Sequence, residues 1–189
     1  MKTTNVMIVG VGGQGSLLAS KLLGRLLLNE GYDVKVSEVH GMSQRGGSVV
    51  TYVRFGEKVY SPIIDKGEAD FIVSFEKLEA ARYVPFLKKD GRIIVNSQEI
   101  DPMPVITGAA SYPHGVLDEL SAKGVSIDCV DALTPALEAG SAKAVNIVLM
   151  GKLSKSLPFS EEKWIEALRQ TVAPKFFEMN VKAFGLGRA

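Results

Sequence analysis

The sequence predicts an α/β fold, a three-layer α/β/α domain on a Rossmann-like, mostly parallel sheet with an antiparallel hairpin added. First, an apolar, β-prone run at Val6–Val9 ends in a glycine cluster, and a leucine-rich helical pattern follows it at once. Second, short apolar runs alternate with amphipathic segments of helical length along the rest of the chain. Third, the strand-like segment Ser48–Phe55 is followed by Gly56-Glu57 and then by Lys58–Tyr60, which is the pattern of a β-hairpin.

The individual elements follow from hydrophobic spacing and from turn residues. Leucines recur at three- and four-residue intervals across Ser16–Asn29, which predicts a helix that stops before Gly31, and Tyr32–Glu38 follows as the second strand. The same reasoning predicts strands at Ala69–Phe75, Arg92–Asn96 and Val125–Val130, and helices at Glu76–Leu87, Val116–Lys123, Ala142–Leu153, from Ser160 onward and at Pro174–Phe184, with Gly185 and Gly187 marking a loose tail.

Composition sets limits on the class of protein. A chain of 189 residues, 46% hydrophobic and 23% charged, is expected to form one domain over residues 1–189 with a sizeable core. Its net charge of +1 and lack of a basic stripe argue against nucleic-acid binding. No apolar run approaches the roughly 18 residues of a spanning helix, so we expect no membrane association. No signal-peptide pattern follows Met1, which points to the cytoplasm.

Cysteine and histidine are scarce. The single cysteine, Cys129, excludes an intrachain disulfide, fits a reducing cytoplasm, and cannot hold an iron–sulfur cluster within this chain alone. The two histidines, His40 and His114, make a multi-histidine metal site unfavourable. We therefore expect no metal site and no catalytic residues in this chain.

The glycine cluster has the G-x-G-x-x-G spacing of a nucleotide-binding turn, with glycines at Gly10, Gly12 and Gly15. Gly10 is predicted to form the sharp turn, Gly12 to let a ligand approach the backbone, and Gly15 to allow close helix–strand packing. Together with Gly13 and Gln14, the turn is a candidate anion site because the following helix presents free N–H groups. Alternatively, the turn joins strand and helix and binds nothing.

A second candidate segment, Val39–Gly47, follows the second strand and is rich in glycine and polar residues. Long polar loops of this kind often carry function, and this one is expected at the same sheet edge as the glycine turn. Arg45 could clamp a phosphate or a carboxylate bidentately, or could instead be an exposed loop cation or part of an interface ion pair. The candidate binding residues here are His40, Ser43, Gln44, Arg45 and Gly46.

Three further polar residues, Glu38, Asn96 and Asn146, allow two interpretations each. Glu38 lies where a dinucleotide fold places its ribose-binding acid, but it is equally a solvated strand end. Asn96 ends a strand at the ligand edge, and Asn146 is an amide within an apolar helix; both also fit ordinary structural roles. Nothing around Cys129 indicates a lowered thiol pKa or a nucleophile.

Several of these segments together resemble a known family, the gamma-type domain of 2-oxoacid:ferredoxin oxidoreductases. They are GVGGQG at Gly10–Gly15, EVHGMSQRGGSVVTYVRFG at Glu38–Gly56, ADFIVSFEKLEAAR at Ala69–Arg82, GRIIVN at Gly91–Asn96, and the later NIVLMGKL and NVKAFGLG. The resemblance runs from about Asn5 to Gly187, and the glycine turn and the second-strand loop show no departure from the family pattern.

The resemblance implies a function that the residues alone do not. Such complexes decarboxylate 2-oxoacids, here an aryl 2-oxoacid, on thiamine diphosphate, form an acyl-CoA and reduce ferredoxin. Thiamine diphosphate, Mg²⁺ and the iron–sulfur clusters would then belong to a large alpha subunit, CoA would be the co-substrate, and this chain would hold no tightly bound cofactor. By the same resemblance, Gly12, Gly13, Gln14 and Arg45 would lie near an anionic group.

Two rival interpretations remain. A stand-alone NAD(P)-dependent oxidoreductase would use the Rossmann-like start with Glu38 on the ribose, although the sequence offers no acid–base pair for it. A purely structural assembly subunit would leave the glycine turn empty. The expectation we carry forward is a small subunit whose glycine turn and His40–Gly47 loop form one surface facing the partner subunit or CoA.

Overall fold

A single sheet organises the chain. The computed structural model describes residues 3–40, except for the side chain of His40, and residues 47–189. In these residues six strands pair in the order β2-β3-β1-β4-β5-β6. Their bounds are β1 Thr4–Val11, β2 Asp33–His40, β3 Ser48–Gly56, β4 Ala69–Ser74, β5 Leu87–Asn96 and β6 Ser126–Val130.

The sheet is mostly parallel, as predicted. Strand β1 pairs in parallel with β4, β4 with β5, and β5 with β6, whereas β3 lies antiparallel between β1 and β2. The predicted antiparallel addition is present, but its predicted partner is wrong: Lys58–Tyr60 is not a strand, and β3 pairs with β2 instead. Because β3 is hydrogen-bonded along both edges, no edge remains for Lys58–Tyr60 to join.

Helices cover both faces of the sheet. They are α1 Ser16–Asn29, α2 Lys77–Tyr83, α3 Met103–Ile106, α4 Val116–Ala122, α5 Leu133–Ala139, α6 Val145–Ser154, α7 Glu161–Thr171 and α8 Phe177–Arg188. One buried cluster combines Val6 and Ile8 of β1 with the apolar faces of α1, α6, α7 and α8. The other combines Met7 and Val9 with α2 and α4. Alternate residues of β1 thus face opposite cores, which confirms the three-layer α/β/α class.

Several predicted boundaries hold and others shift. The first helix spans Ser16–Asn29, as predicted. The helix predicted at Glu76–Leu87 ends at Tyr83 and continues as a 3-10 turn, and β5 begins at Leu87 rather than Arg92. The predicted loose tail is wrong, because Gly185 and Gly187 lie within α8. The pattern also missed the short helices α3 and α5.

The C-terminal helix is ordered by a close crossing with α6. A Cβ atom on Gly187 would lie 2.0 Å from the carbonyl oxygen of Val148, and one on Gly151 would lie 2.3 Å from that of Phe184. Both contacts are to backbone, so the two helices can approach this closely only because each carries glycine at the crossing.

Candidate functional site

The glycine turn joins β1 to α1 at the edge where the parallel strands end. After Val11 the chain turns through Gly13 and Gly15, whose φ angles are 100° and 88°. Gly15 is the N-cap of α1, and its carbonyl oxygen accepts hydrogen bonds from the N–H groups of Leu18 (3.1 Å) and Ala19 (3.4 Å). Because the Leu18 and Ala19 amides are bonded in this way, the N–H groups of Ser16 and Leu17 at the start of this 14-residue helix are the ones that an anion would meet, and anion binding here stays a prediction.

Two glycines of the motif serve close packing. Gly10 lies inside β1 rather than at the sharp turn predicted for it, and a Cβ atom there would be 2.9 Å from Gln14 Oε1 and 3.0 Å from Phe75 Cβ. Gly15 does permit a close approach, but to helix α6 rather than to a strand: an added Cβ would lie 2.6 Å from Asn146 Nδ2. The ligand-approach role of Gly12 remains a prediction.

The Gln14 side chain is engaged by the protein. Its Oε1 atom accepts a hydrogen bond from the Val11 N–H at 2.7 Å, and its Nε2 atom donates to the Phe75 carbonyl oxygen and to Gln98 Oε1, both at 3.2 Å. These bonds fix the turn against the ends of β1, β4 and β5. Gln14 therefore has a clear structural role, and its predicted contact with a ligand stays a prediction.

The glycine turn meets the end of the second candidate segment. The N–H group of Gly12 donates to the carbonyl oxygen of Gly47 at 2.9 Å, and Val11 pairs with Ser48 in the sheet. His40 ends β2 at the same edge, since β2 and β1 run in the same direction on either side of β3. The backbone thus brings the two predicted segments to one edge.

Four of the predicted binding residues, Ser43, Gln44, Arg45 and Gly46, lie outside the described residues, as does the side chain of His40. Their roles remain predictions from the sequence. Gly47 directly follows them, and its carbonyl oxygen accepts the hydrogen bond from the Gly12 N–H group. The end of the segment is therefore located beside the glycine turn.

A buried carboxylate that the sequence did not single out stands beside this junction. Glu79 of α2 is 4% exposed, and its carboxylate accepts hydrogen bonds from Ser48 Oγ and, at 3.1 Å, from Arg82 Nε. Ser48 Oγ also lies 3.3 Å from the Tyr83 hydroxyl. Glu79 and Val11 both line a small cavity of about 60 Å³. The start of β3 is therefore tied to α2 by a charge-assisted hydrogen bond.

Glu76 is a second buried carboxylate, 1% exposed, and it caps α2. Its Oε2 atom accepts from the Glu79 N–H at 2.8 Å, and its Oε1 atom accepts from the Tyr112 hydroxyl and from the Ile100 N–H at 3.3 Å. Burial, reinforced by the hydrogen bond to the Glu76 carboxylate, raises the pKa of Tyr112 well above its usual range. These bonds give the buried Glu76 carboxyl hydrogen-bond partners in place of water.

The sequence analysis did not single out these two glutamates. Acidic residues at the start of a helix usually face solvent, where they interact favourably with the positive end of the helix dipole. Glu76 and Glu79 stand three residues apart, directly after the buried end of β4. That position at the edge of the parallel strands was the one available signal.

The remaining candidates have protein partners. Glu38 accepts a hydrogen bond from Ser20 Oγ of α1 at 3.1 Å. Asn96 bridges strand ends by donating to the Phe75 carbonyl oxygen (3.3 Å) and accepting from the Ala132 N–H (3.1 Å), which is a structural role. Desolvation raises the pKa of the Cys129 thiol, the opposite of what an activated nucleophile needs.

Asn146 is only partly satisfied. Its Nδ2 atom donates to the Gly15 carbonyl oxygen at 3.2 Å, whereas its Oδ1 atom is buried without a hydrogen-bond partner among the described residues. The amide thus braces the N-cap of α1 from α6.

A polar chain continues along the same edge. Lys77 Nζ donates to Glu99 Oε1 at 2.9 Å, and His114 Nδ1 lies 3.1 Å from Glu99 Oε2. The hydrogen bond from Lys77 lowers the pKa of Glu99, and the Glu99 carboxylate raises that of Lys77. The edge therefore carries buried carboxylates near the turn and a solvated ion pair farther along.

This donor set does not fit a metal or a cluster. In the described residues, no group of three or more histidine, cysteine, aspartate or glutamate side chains could hold a metal ion. The whole chain has one cysteine, too few for an iron–sulfur cluster. Nor does any helix of the described residues combine the length and apolarity needed to cross a membrane. Anion binding at this edge of the sheet remains a prediction from the sequence.

The fold is that of a Rossmann-like α/β chain with a glycine turn between its first strand and first helix, and comparison with known proteins gives its family. The model of the pyruvate ferredoxin/flavodoxin oxidoreductase family matches residues 5–189. The chain belongs to this family of oxidoreductases, which confirms the resemblance read from the sequence.

Similar proteins are named as subunits. The indolepyruvate oxidoreductase subunit IorB of Thermococcus kodakarensis is 48% identical, with the match covering 99% of this chain and 95% of that protein. The protein of the same name from Pyrococcus horikoshii is 46% identical over the same shares. The common gamma subunit of the pyruvate/ketoisovalerate oxidoreductases of Pyrococcus abyssi is 28% identical and covers 92% of this chain and 89% of its own length.

Solved structures share the fold. The pyruvate oxidoreductase subunit PORC of Thermotoga maritima superposes with a TM-score of 0.73 at 19% identity, covering 99% of this chain and 96% of that one. The 2-oxoglutarate:ferredoxin oxidoreductase of Magnetococcus marinus gives 0.76 at 18% identity, and this chain corresponds to 31% of its length. The same fold therefore occurs both as a small chain and as part of a larger one.

Proposed function

We propose that this chain is the small subunit of an indolepyruvate:ferredoxin oxidoreductase. The observation that carries the proposal is the similarity to the Thermococcus kodakarensis subunit, which covers 99% of this chain and 95% of that protein at 48% identity. Matching over both full lengths supports the same unit in the same kind of complex, with an aryl 2-oxoacid as substrate and ferredoxin as electron acceptor.

The chemistry would belong to a larger partner chain. This chain has one cysteine, fewer than an iron–sulfur cluster needs, and we propose that the clusters, thiamine diphosphate and Mg²⁺ are held by the partner. When bound to the partner, thiamine diphosphate supplies the electron sink for decarboxylation. With this division of labour we expect the isolated chain to be inactive, and we propose that it works in the cytoplasm with its partner.

The glycine turn and the His40–Gly47 loop would form one surface facing the partner or CoA. The bond from Gly12 N–H to the Gly47 carbonyl oxygen joins them, and the start of α1 directs its free amides to that edge. Hydrogen-bond donors of this kind bind and orient an anionic group such as a CoA phosphate, with Arg45 as the matching cation. Glu79 would hold the start of β3 in place through Ser48.

A pull-down from the native cells under anaerobic conditions tests the subunit assignment. We expect a large, brown iron–sulfur partner and thiamine- and CoA-dependent dye reduction with indolepyruvate. Recovery of the chain alone, colourless and inactive but binding a nicotinamide nucleotide tightly, would favour the stand-alone NAD(P) oxidoreductase instead.

The Arg45→Ala variant of the assembled complex tests the surface. We expect normal assembly with a raised KM for CoA, because the charge that pairs with the phosphate is lost. Arg45→Lys, which keeps the charge but not the bidentate geometry, should be intermediate, and Arg169→Ala, at an exposed position of helix α7, is the matched control. Unchanged kinetics with weaker assembly would identify a purely structural subunit.

A further inference from the structure

A basic cleft lies at the opposite edge of the sheet, where β1, β4 and β5 begin. Its volume is about 790 Å³, and its charged lining consists of Lys88, Lys89, Arg92 and Lys155 with Asp70 and Asp90. Four cations against two carboxylates is a local surplus of positive charge in a chain whose formal net charge is only +1.

A β-bulge at the start of β5 builds the cleft. Ala69 pairs with Leu87 and Phe71 pairs with Arg92, so β5 has extra residues between its two pairing positions. Gly91 makes the bulge possible, since a Cβ atom there would lie 2.8 Å from the Ala69 carbonyl oxygen. Bulges of this type redirect side chains at sheet edges, and this one brings Lys88 and Lys89 to the cleft.

The charges of the cleft are only partly neutralised by the protein. Lys88 is paired with Asp70, which also accepts a hydrogen bond from the Asn5 N–H at 2.8 Å. Lys89 and Arg92 are exposed, and within residues 3–40 and 47–189 neither makes an ion pair. Two cations at the cleft mouth are therefore available to an outside anion.

We propose that this cleft is a docking site for an acidic segment of a partner protein. Small-molecule sites are mostly apolar and enclose their ligand, whereas this cleft is open and lined by long charged side chains. Exposed lysine and arginine side chains with interspersed carboxylates are typical of surfaces that steer a complementary protein into register. The site lies at the sheet edge opposite the glycine turn and is independent of the function proposed for that turn.

The test is the binding of a fluorescein-labelled hexaglutamate peptide to the full chain at low ionic strength, followed by anisotropy. The Lys89→Ala/Arg92→Ala double variant should bind about three- to tenfold more weakly, as expected for two exposed ion pairs. Lys123→Ala/Lys175→Ala is the matched control, since it removes the same charge from exposed positions elsewhere and should bind like the parent chain.

A gain of affinity completes the test, with the circular dichroism spectrum of the parent chain required of each variant. Asp90→Asn removes a carboxylate from the cleft and should tighten peptide binding about two- to threefold. Glu119→Gln, at an exposed position of α4, should leave it unchanged. Equal effects of cleft and control variants would overturn the proposal, as would tripolyphosphate binding that depends on Lys89 and Arg92 while the peptide does not bind.

Discussion

At the scale of single residues, the close contact between Gly15 and Asn146 allows no side chain at position 15 of the candidate site. Gly15 adopts a φ angle of 88°, and an added Cβ would lie 2.6 Å from Asn146 Nδ2. A side chain at this position therefore meets two costs, the left-handed backbone conformation and displacement of the amide that braces the N-cap.

We predict that Gly15→Ala lowers the free energy of unfolding by about 2–4 kcal/mol, of which the backbone accounts for about 1–2 kcal/mol. Gly13→Ala is the matched control: its φ angle is 100°, but nothing lies within 4 Å of an added Cβ, so it should show the backbone cost only. Urea unfolding measures both. Equal losses for the two variants would contradict the contact with Asn146, and a double-mutant cycle with Asn146→Ala would then show no coupling.

The ion pair between Lys77 and Glu99 gives a pH prediction. Lys77 lowers the pKa of Glu99 more than His114 does, because its hydrogen bond is the largest contribution. The lowered Glu99 pKa means that this carboxylate stabilises the fold above its unfolded pKa and that the contribution is lost as pH falls through the folded value. The pKa of Lys77 is raised in the folded state, so this ammonium group stabilises the fold below its unfolded pKa. That stabilisation is lost as pH rises through the folded pKa of Lys77.

We therefore expect Lys77→Met to raise the pKa of the Glu99 carboxyl toward its ordinary range, and His114→Gln to raise it less. Carboxyl ¹³C NMR titration of the parent chain and the two variants measures this directly. A larger shift in the histidine variant would mean that the order of the two contributions is wrong.

At the candidate site, the glycine turn could be predicted from the sequence, whereas the buried glutamates could not. The spacing of Gly10, Gly12 and Gly15 correctly located a strand–turn–helix unit, because that spacing reflects local backbone requirements. The burial of Glu76 and Glu79 could not be predicted, since it depends on Tyr112 and Ser48, which come from distant parts of the chain.

At the scale of elements, the crossing of α6 and α8 is where sequence patterns misled most. Two glycines near the end of the chain suggested a loose tail, because glycine is unfavourable within a helix. In the structure Gly187 is what allows α8 to pack on Val148, so a tertiary contact outweighs the local preference. The misplaced hairpin partner has a similar cause, since strand pairing depends on the whole sheet rather than on the nearest turn.

Two substitutions in α8 should therefore have opposite signs. Gly187→Ala would place a Cβ 2.0 Å from the Val148 carbonyl oxygen, so we predict a loss of about 2–4 kcal/mol in the free energy of unfolding as the helices separate. Gly185→Ala, in the same helix, meets nothing within 4 Å and should stabilise by about 0.5–1 kcal/mol through the helix preference of alanine. Thermal and urea unfolding measure both. Stabilisation by both variants would mean that the helices do not cross closely.

At the scale of the whole molecule, one sheet separates two cores. Val6 and Ile8 belong to the core on one face, and Met7 and Val9 belong to the core on the other. Both cores contain side chains of β1. Unfolding of one core would expose β1 to water on that face, and the other core would then lose the strand against which it packs. From this arrangement we predict that the described residues unfold as one cooperative unit, and the single domain over residues 1–189 stays a prediction.

We predict that urea unfolding is one transition with the same midpoint on both faces. Trp164, the only tryptophan of the chain, reports on the first core by fluorescence, and the methyl resonances of Ile72 and Ile93 report on the second by NMR. Far-UV circular dichroism serves as the global control, and all three curves should coincide, as in a two-state transition. Separate midpoints for Trp164 and the isoleucine methyl groups would divide the chain into two units, because a shared strand could not then be coupling the cores.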